Sequence, residues 1–569
     1  MNSVLPMFLS LPGVFMLLGA VFVPLLPHAL RQIWMLAIIG VSAWLCWGLT
    51  PGVHLTTQIA GLDLILVRAH AITLPFSVVF HIAAALNVIY AMHERSRTTA
   101  TAGLAYAGAA IAALYAGDFI TLFVYWELTA FTSVFLILVR RSETSLGAAM
   151  RYLLMQVSSG VILLAGAVLL WHGGQGLQVQ ALNASSLAGG LILLAFGIKA
   201  AFPFLNGWLQ DAYPEASVTG TVMLSAFTTK LAIYMLALCF AGTPMLIWIG
   251  VAMALFPVFF AIIENDLRRV LAFSLNSQLG FMVVGVGIGT ELALNGTISH
   301  AFASTIYKGL LFMAMGAVLH RTGTAKASEL GGLWRQMPLT LVFCTLGALS
   351  IVSFPLFSGF VTKSLTLGAV AKQGYIWVWM LLIFASVGVF AHIGLKVIYS
   401  AFFASGAKFE VKEAPVNMLV AMGIAAALCV GIGVAPHWLY GLLPYEVSYD
   451  AWKIGHVLGE LQLLAFAALG AALCMVLGLY KRETDSTILN TDWLARGFAL
   501  PLILRLARPV LGLWFTLLGA GKGLIMGTLQ QGERASQHSG LVSGVATTGA
   551  AAGIFLCVFS LLLALLFWM

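Results

Sequence analysis

The chain is a succession of apolar runs, most of them close to the ~20 residues a helix needs to cross a hydrocarbon core. They fall near 8–26, 32–49, 74–93, 100–116, 117–140, 148–171, 186–208, 218–241, 244–263, 269–289, 293–320, 338–358, 374–404, 415–436, 459–480 and 550–568. This pattern predicts an all-α polytopic membrane protein with about 16 transmembrane helices. The stretch 355–372, which opens on Pro355, reads as a broken continuation of the run at 338–358. Composition agrees: 61% of residues are hydrophobic and 8% charged, against about 45–50% and about 25% in soluble domains. With 28 basic and 20 acidic residues in 569, the chain cannot cover the surface of a soluble protein of this size. That excludes a soluble enzyme, a disordered chain and a nucleic-acid binder.

The basic residues give an orientation. Arg31, then Arg95 and Arg97, then Arg140, Arg141 and Arg151 lie after runs 1, 3 and 5. Arg268 and Arg269, Arg321 and Lys326, and Lys481 and Arg482 lie after runs 9, 11 and 15. All are odd, so one face of the membrane collects the basic connections and is expected to be cytoplasmic. This predicts a multi-pass protein of the cell inner (plasma) membrane with its N-terminus outside, in the periplasm. The net charge of +8 is a consequence of that bias. Cys46, Cys239, Cys344, Cys429, Cys474 and Cys557 all sit inside apolar runs without metal-ligand spacing. They read as small core or lipid-facing residues. The segment 485–545 mixes Arg496, Arg505, Arg508 and Lys522 with Leu, Ile and Phe and is interrupted by Pro501 and Pro509. It is expected to lie laterally as an amphipathic element.

Ionisable residues inside these runs carry the functional signal. Each costs about 2.5–3.5 kcal/mol on insertion scales, so five clear cases cost on the order of 12–18 kcal/mol and must face protein or water. Glu127 stands mid-run in Tyr-Trp-Glu-Leu-Thr with no cation within a turn on its own helix. Lys199 precedes Pro203 by four residues. The proline removes a donor and frees the lysine's own carbonyl, a break of the kind that builds ion sites in membranes. Lys230 lies within the next run. His300, Ser304 and Lys308 are spaced i, i+4, i+8 and share one helix face. Lys396 follows His392 by four residues and shares its face, whereas Lys363, near the end of a span, is expected to snorkel. Lysine suits proton handling: desolvation disfavours its charged form and a nearby carboxylate favours it. No nucleophile elbow, nucleotide loop or metal-ligand cluster is evident, so the expectation is a transporter component with no catalytic site, cofactor or metal of its own.

The stretch Lys199-Ala-Ala-Phe-Pro-Phe-Leu-Asn-Gly-Trp-Leu-Gln-Asp211-Ala-Tyr-Pro-Glu-Ala, with Thr229-Lys230-Leu-Ala-Ile-Tyr, resembles the antiporter-like subunits of respiratory complex I and of the Mrp-type cation/proton antiporters, the D-type Mrp component most of all. Asp266-Leu-Arg-Arg-Val-Leu-Ala-Phe-Ser with Ser277-Gln-Leu-Gly, Lys308-Gly-Leu-Leu-Phe and Phe354-Pro-Leu-Phe-Ser-Gly-Phe extend the likeness over roughly residues 100–400. The resemblance implies two inverted five-helix repeats with broken helices, at 100–243 and 244–405, each forming a proton half-channel. Helices over 1–99 and 406–484 flank them, followed by the lateral segment 485–545 and a last span in 546–569. It further implies that Glu127 and Lys199 are an ion pair, with Lys230, His300, Ser304 and Lys308 connecting. Lys396, beside His392, would be the site on the second repeat's broken helix, and Pro203 and Pro355 would mark the breaks. Partners would be other subunits of a hetero-oligomeric membrane complex, the lipid bilayer and protons, with Na+ left open. Proton translocation in a multi-subunit cation (Na+)/proton antiporter is the leading reading. The alternatives are a complex I-like or membrane hydrogenase redox complex and an inorganic-carbon uptake complex.

Overall fold

The computed structural model describes residues 11–59, 61–405, 409–477 and 505. The lateral segment (Arg505 apart) and the run at 550–568 lie outside the described residues. The chain opens with α1 (Val14–Phe22, extended by a 3₁₀ turn over Val23–Leu25) and α2 (His28–Trp47). After a β-hairpin come α3 (Thr73–Tyr90), α4 (Arg97–Leu114), α5 (Phe119–Leu138) and α6 (Glu143–His172). Next are α7 (Leu187–Lys199), α8 (Gly207–Glu215), α9 (Val218–Ala226) and α10 (Thr228–Cys239). The second half runs through α11 (Met245–Ile263), α12 (Leu267–Ile288), α13 (Glu291–Thr322), α14 (Pro338–Ile351) and α15 (Ser358–Lys372). Then come α16 (Ile376–Val389), continued by π-helical turns over Phe390–Val397 and Tyr399–Phe403, α17 (Val416–Val434) and α18 (Ile454–Val476). Among the described residues, 11 helices are long and apolar enough to cross a membrane. Shorter apolar helices over Val14–Leu25, Leu187–Lys199 and Pro338–Ile351 account for further predicted runs. Two of these are halves of broken spans, too short alone to meet a full-span criterion.

Helix starts follow capping chemistry. Ser96, Ser142, Ser186, Ser217 and Thr290 each accept a backbone N–H of their own first turn, while Asp118 and Asp266 each accept two. The two aspartates also expose an internal repeat. Asp118 caps α5, where Phe119 N–H donates to Leu177 O and Val179 N–H to Gly117 O. Asp266 caps α12, where Leu267 N–H donates to Ala325 O and Ala327 N–H to Asn265 O. Each pair ties a helix start to the connection that follows the next, long helix. The spans α4, α5, α6, broken α7–α8 and α9–α10 are thus echoed by α11, α12, α13, broken α14–α15 and α16. An odd number of spans per set returns the chain to the opposite face, so the second set is inverted relative to the first.

A two-stranded hairpin, β1 (Gly52–Ile59) against β2 (Leu62–Ala69), has no counterpart in the helical reading of the sequence. Gly61 turns it at φ 79°. It is tied to the start of α5: Ile65 N–H donates to Asp118 Oδ2 at 2.7 Å, and Arg68 N–H donates to Tyr115 O. A search for 20-residue apolar runs is blind to this period-two segment.

The interior is formed by α9–α10, α12 and α13, each 94% buried over its most apolar stretch, whereas α2, α6 and α16 are 39% buried and face outward. Close helix contact replaces the hydrophobic effect where the surroundings are themselves apolar. A Cβ on Gly280 of α12 would come 2.4 Å from the backbone nitrogen of Ala254 and 2.5 Å from the carbonyl of Gly250, both on α11. Gly280→Val is therefore expected to lower stability by roughly 1–3 kcal/mol. Gly431→Ala on α17, where a Cβ meets nothing within 4 Å, is expected to be neutral or stabilising by up to about 1 kcal/mol. Thermal unfolding of the two detergent-solubilised variants, followed by size exclusion, checks both; equal stability would refute the close packing.

Candidate functional site

The first break lies between α7 and α8. Ala201 and Phe204 hold positive φ of 62° and 66° on either side of Pro203, which costs non-glycine residues on the order of 1–3 kcal/mol each. The second break, between α14 and α15, repeats this pattern: Ser353 and Leu356 hold 64° and 78° around Pro355. The helix ends close alike, with Phe202 N–H donating to Gly197 O and Phe354 N–H to Leu349 O. Both prolines expected at breaks therefore stand in one.

Lys199 is the last residue of α7 and fully buried. Its Nζ donates to Trp126 O at 2.6 Å and to Thr129 Oγ1 at 2.9 Å, and lies 4.3 Å from the Trp126 ring centroid. Glu127, the next residue of α5, is also buried, and neither carboxylate oxygen has a hydrogen-bond partner. Among the described residues the two do not form a salt bridge. The lysine rests instead on the carbonyl one residue before the glutamate, within electrostatic reach of it. Glu127 fits because α6 presents Gly160 to it; a Cβ there would come 1.5 Å from Oε1.

Lys230 does not snorkel. It is 1% exposed, and its Nζ donates to Ser225 O at 2.6 Å, across the irregularity at Phe227 that separates α9 from α10. The column on α13 is likewise interior. His300 Nδ1 is 3.2 Å from Thr362 Oγ1 of α15, and its Nε2 is 3.2 Å from Gln278 Oε1 of α12. Tyr307 Oη donates to the same Gln278 oxygen at 3.3 Å. Ser304 donates to Ala301 O of its own helix, and Lys308 Nζ donates to Leu271 O at 3.3 Å. Gln278 bridges histidine and tyrosine. Sequence reasoning does not single it out, because a lone amide in an apolar run carries no sign of its partners.

The second half requires a correction. The residue on its broken helix is Lys363, not Lys396. Lys363 stands on α15, 1% exposed, where its Nζ donates to Ile351 O, the last residue of α14, at 3.1 Å and to Ser386 Oγ at 3.2 Å. It does not snorkel, because α15 is a half-span inside the bundle, so this lysine sits deep instead of at a membrane surface. The sequence does carry a signal: Pro355 stands eight residues before Lys363, as Pro203 stands four after Lys199. Lys396 lies instead on the π-helical continuation of α16, and its Nζ donates to Ile262 O near the end of α11 at 2.6 Å. His392, one turn before, is fully buried. π-Helical turns are frequent at functional sites. His392 interacts electrostatically with both Lys308 and Lys396, and Lys308 with both Lys230 and Lys363. Lys230, Lys308 and Lys363 thus lie in turn within electrostatic reach, and His392 and Lys396 branch from Lys308.

Residues 116–388 match the family described as NADH:quinone oxidoreductase/Mrp antiporter, TM. Hydrogenase-4 component B of Escherichia coli (strain K12) is 28% identical over 432 residues, covering 68% of this chain and 60% of that protein. The A-type Na(+)/H(+) antiporter subunit of Bacillus subtilis (strain 168) is 29% identical over 437 residues, covering 68% of this chain and 54% of that protein. The chain thus spans little more than half the length of these curated relatives. A chain of the Mrp complex from Dietzia sp. DQ12-45-1b shares the fold with a TM-score of 0.67 at 22% identity, covering 76% of this chain and 95% of that one. A chain of the membrane-bound sulfane sulfur reductase, an archaeal respiratory membrane complex, does so with a TM-score of 0.70 at 21% identity, covering 96% and 99%. The central helices are thus similar to that family, and the chain is a multi-span membrane protein that shares its fold with chains of these complexes.

Proposed function

We propose that this chain is the proton-translocating component of a multi-subunit cation (Na+)/proton antiporter. Residues 100–243 and 244–405 serve as its two half-channels. The observation that carries this reading is the row of buried lysines, each donating to a backbone carbonyl, with two of them beside proline-broken helices. A buried ammonium held only by neutral oxygens is easily deprotonated, because desolvation works against its charge. Lys199 moves between two positions. On Trp126 O and Thr129 it makes no ion pair with the unpartnered Glu127 carboxylate and gives its proton on toward Lys230; turned to Glu127 it holds a proton. His300, Gln278, Ser304 and Lys308 carry the proton to the second half, where Lys363 and the His392–Lys396 pair receive it. The basic connections place their face in the cytoplasm and the N-terminus outside, in a cell inner membrane.

A second reading is favoured by a specific observation. The likeness to hydrogenase-4 component B, and coverage of 96% by a reductase-complex chain against 76% by an Mrp-complex chain, support the same module driven by redox chemistry on other subunits. Affinity purification of the full chain from its native membrane separates the two: small cation-antiporter subunits support the first, and iron–sulfur- or nickel-binding subunits the second.

Glu127→Gln and Lys199→Ala should each lower proton transport in vesicles on the order of 10²-fold, the usual contribution of one positioned proton-transfer group, while the complex still assembles. Full activity in either would remove the Glu127–Lys199 switch. The second half is checked by Lys363→Ala, which should be as severe. Lys396→Glu should retain partial transport, since either charge can accept and release a proton, and Lys396→Ala should not. Equal transport by the wild type and all three variants would place the path elsewhere.

A further inference from the structure

Lys199 stands just before the first break and Lys363 just after the second, and the halves differ in where a carboxylate can come from. Leu275 stands as far beyond its cap Asp266 as Glu127 does beyond Asp118, and Lys308 likewise answers to Gly160. The second set thus has an apolar residue where the first has its glutamate. The carboxylate that interacts with Lys363 is Glu460, on α18, outside both repeats. The contact is built by rings one turn earlier on each helix. Phe360 of α15 packs against His456 of α18 with centroids 4.8 Å apart and against Trp452 at 5.3 Å, both rings tilted to it. Tyr449, whose ring would lie 2.9 Å from a Cβ on Gly368, closes the same corner. Most of α18 faces outward, yet the Glu460 side chain is only 11% exposed. His456 Nε2 lies 4.0 Å from Glu460 Oε1 and its side chain is 24% exposed, so exposure at the protein surface rises from Lys363 through Glu460 to His456, at the end of α18 where the span begins.

The face of the membrane is fixed by the chain. Asn295, in the first turn of α13, donates to Tyr445 O, which puts the 441–453 connection on the face where α13 begins. That face is opposite the one holding Arg268, Arg269, Arg321 and Lys326. Lys396, by contrast, reaches Ile262 beside the basic α11–α12 turn. The fork at Lys308 therefore has one arm toward each face.

We propose that Glu460 and His456 form the proton exit of the second half-channel, taking the proton from Lys363 and passing it to the face opposite the basic connections. The inference rests on the proton-transport reading above. The transfer is a proton exchange: the Lys363 ammonium becomes neutral, the Glu460 carboxylate is protonated, and the proton leaves through the His456 imidazole to water. The groups facing Glu460 that share in its titration are Lys363, His456 and Tyr449, with Asp450 beside Tyr449.

The experiment compares proton transport in vesicles holding the full chain in its complex, from pH 6 to about 9, for Glu460→Gln, Glu460→Asp, His456→Gln and Glu127→Gln. Glu460→Gln should lose transport at least about tenfold with complex assembly and thermal stability retained. Glu460→Asp should restore most of it with a displaced pH profile, and His456→Gln should lower transport with the complex still assembled. A purely structural Glu460 would be served by the isosteric glutamine, so transport and pH profile unchanged in Glu460→Gln while Glu127→Gln is inactive would overturn the exit. Loss of transport in Glu460→Gln that Glu460→Asp does not restore overturns it as well. Undiminished transport in Glu127→Gln would instead count against the proton-transport reading itself.

Discussion

A lysine ammonium inside a membrane must find oxygen without finding water, and the fold is arranged around that need. Each regular helix uses its carbonyls internally, so an interior lysine either shares one, as Lys199 does with Trp126 O inside α5 and Lys308 with Leu271 O inside α12, or takes a free one where a helix ends, breaks or widens. Lys199 uses a neighbouring helix with a threonine hydroxyl beside the carbonyl, Lys230 reaches across the irregularity at Phe227, and Lys363 takes the carbonyl of Ile351 at the end of α14. Lys396 sits on π-helical backbone and reaches the end of α11. The break between α14 and α15 thus supplies oxygen to Lys363, in a connection that holds Ser353 and Leu356 at positive φ around Pro355.

Duplication explains how the two halves meet. Two five-span sets, capped alike by Asp118 and Asp266, bring their broken helices to the interior from opposite faces. The long helix α13 then passes between them, almost wholly buried, and carries His300, Ser304 and Lys308 as the joint. The sets diverge in their carboxylates. One set keeps a carboxylate against Gly160; the other fills the corresponding places with Leu275 and Lys308 and borrows Glu460 from outside the repeat.

Much of this is legible in the sequence. Hydropathy locates the runs, and fifteen of the sixteen meet a helix among the described residues. Buried charge cost alone singles out Glu127, Lys199, Lys230, Lys308 and Lys396. The departures at Lys363 and Lys396 share one cause. Equating position along a run with depth in the membrane makes Lys363 a snorkelling residue, which leaves Lys396 for the broken-helix site that the resemblance implies. That equivalence fails where a span is broken, as at 352–357. The hairpin escapes a hydropathy reading because its alternation is short and only one strand has a buried face.

The sequence by itself determined that the chain lives in a membrane, roughly how many times it crosses, where it breaks, and which charges are too costly to face lipid. Those are properties of single segments, set by composition and by proline. Only the tertiary structure decided which carbonyl receives each lysine, that Glu127 and Lys199 are neighbours without being a salt bridge, and that Glu460 serves Lys363. Those are contacts between segments far apart in the chain, and helix packing alone fixes them.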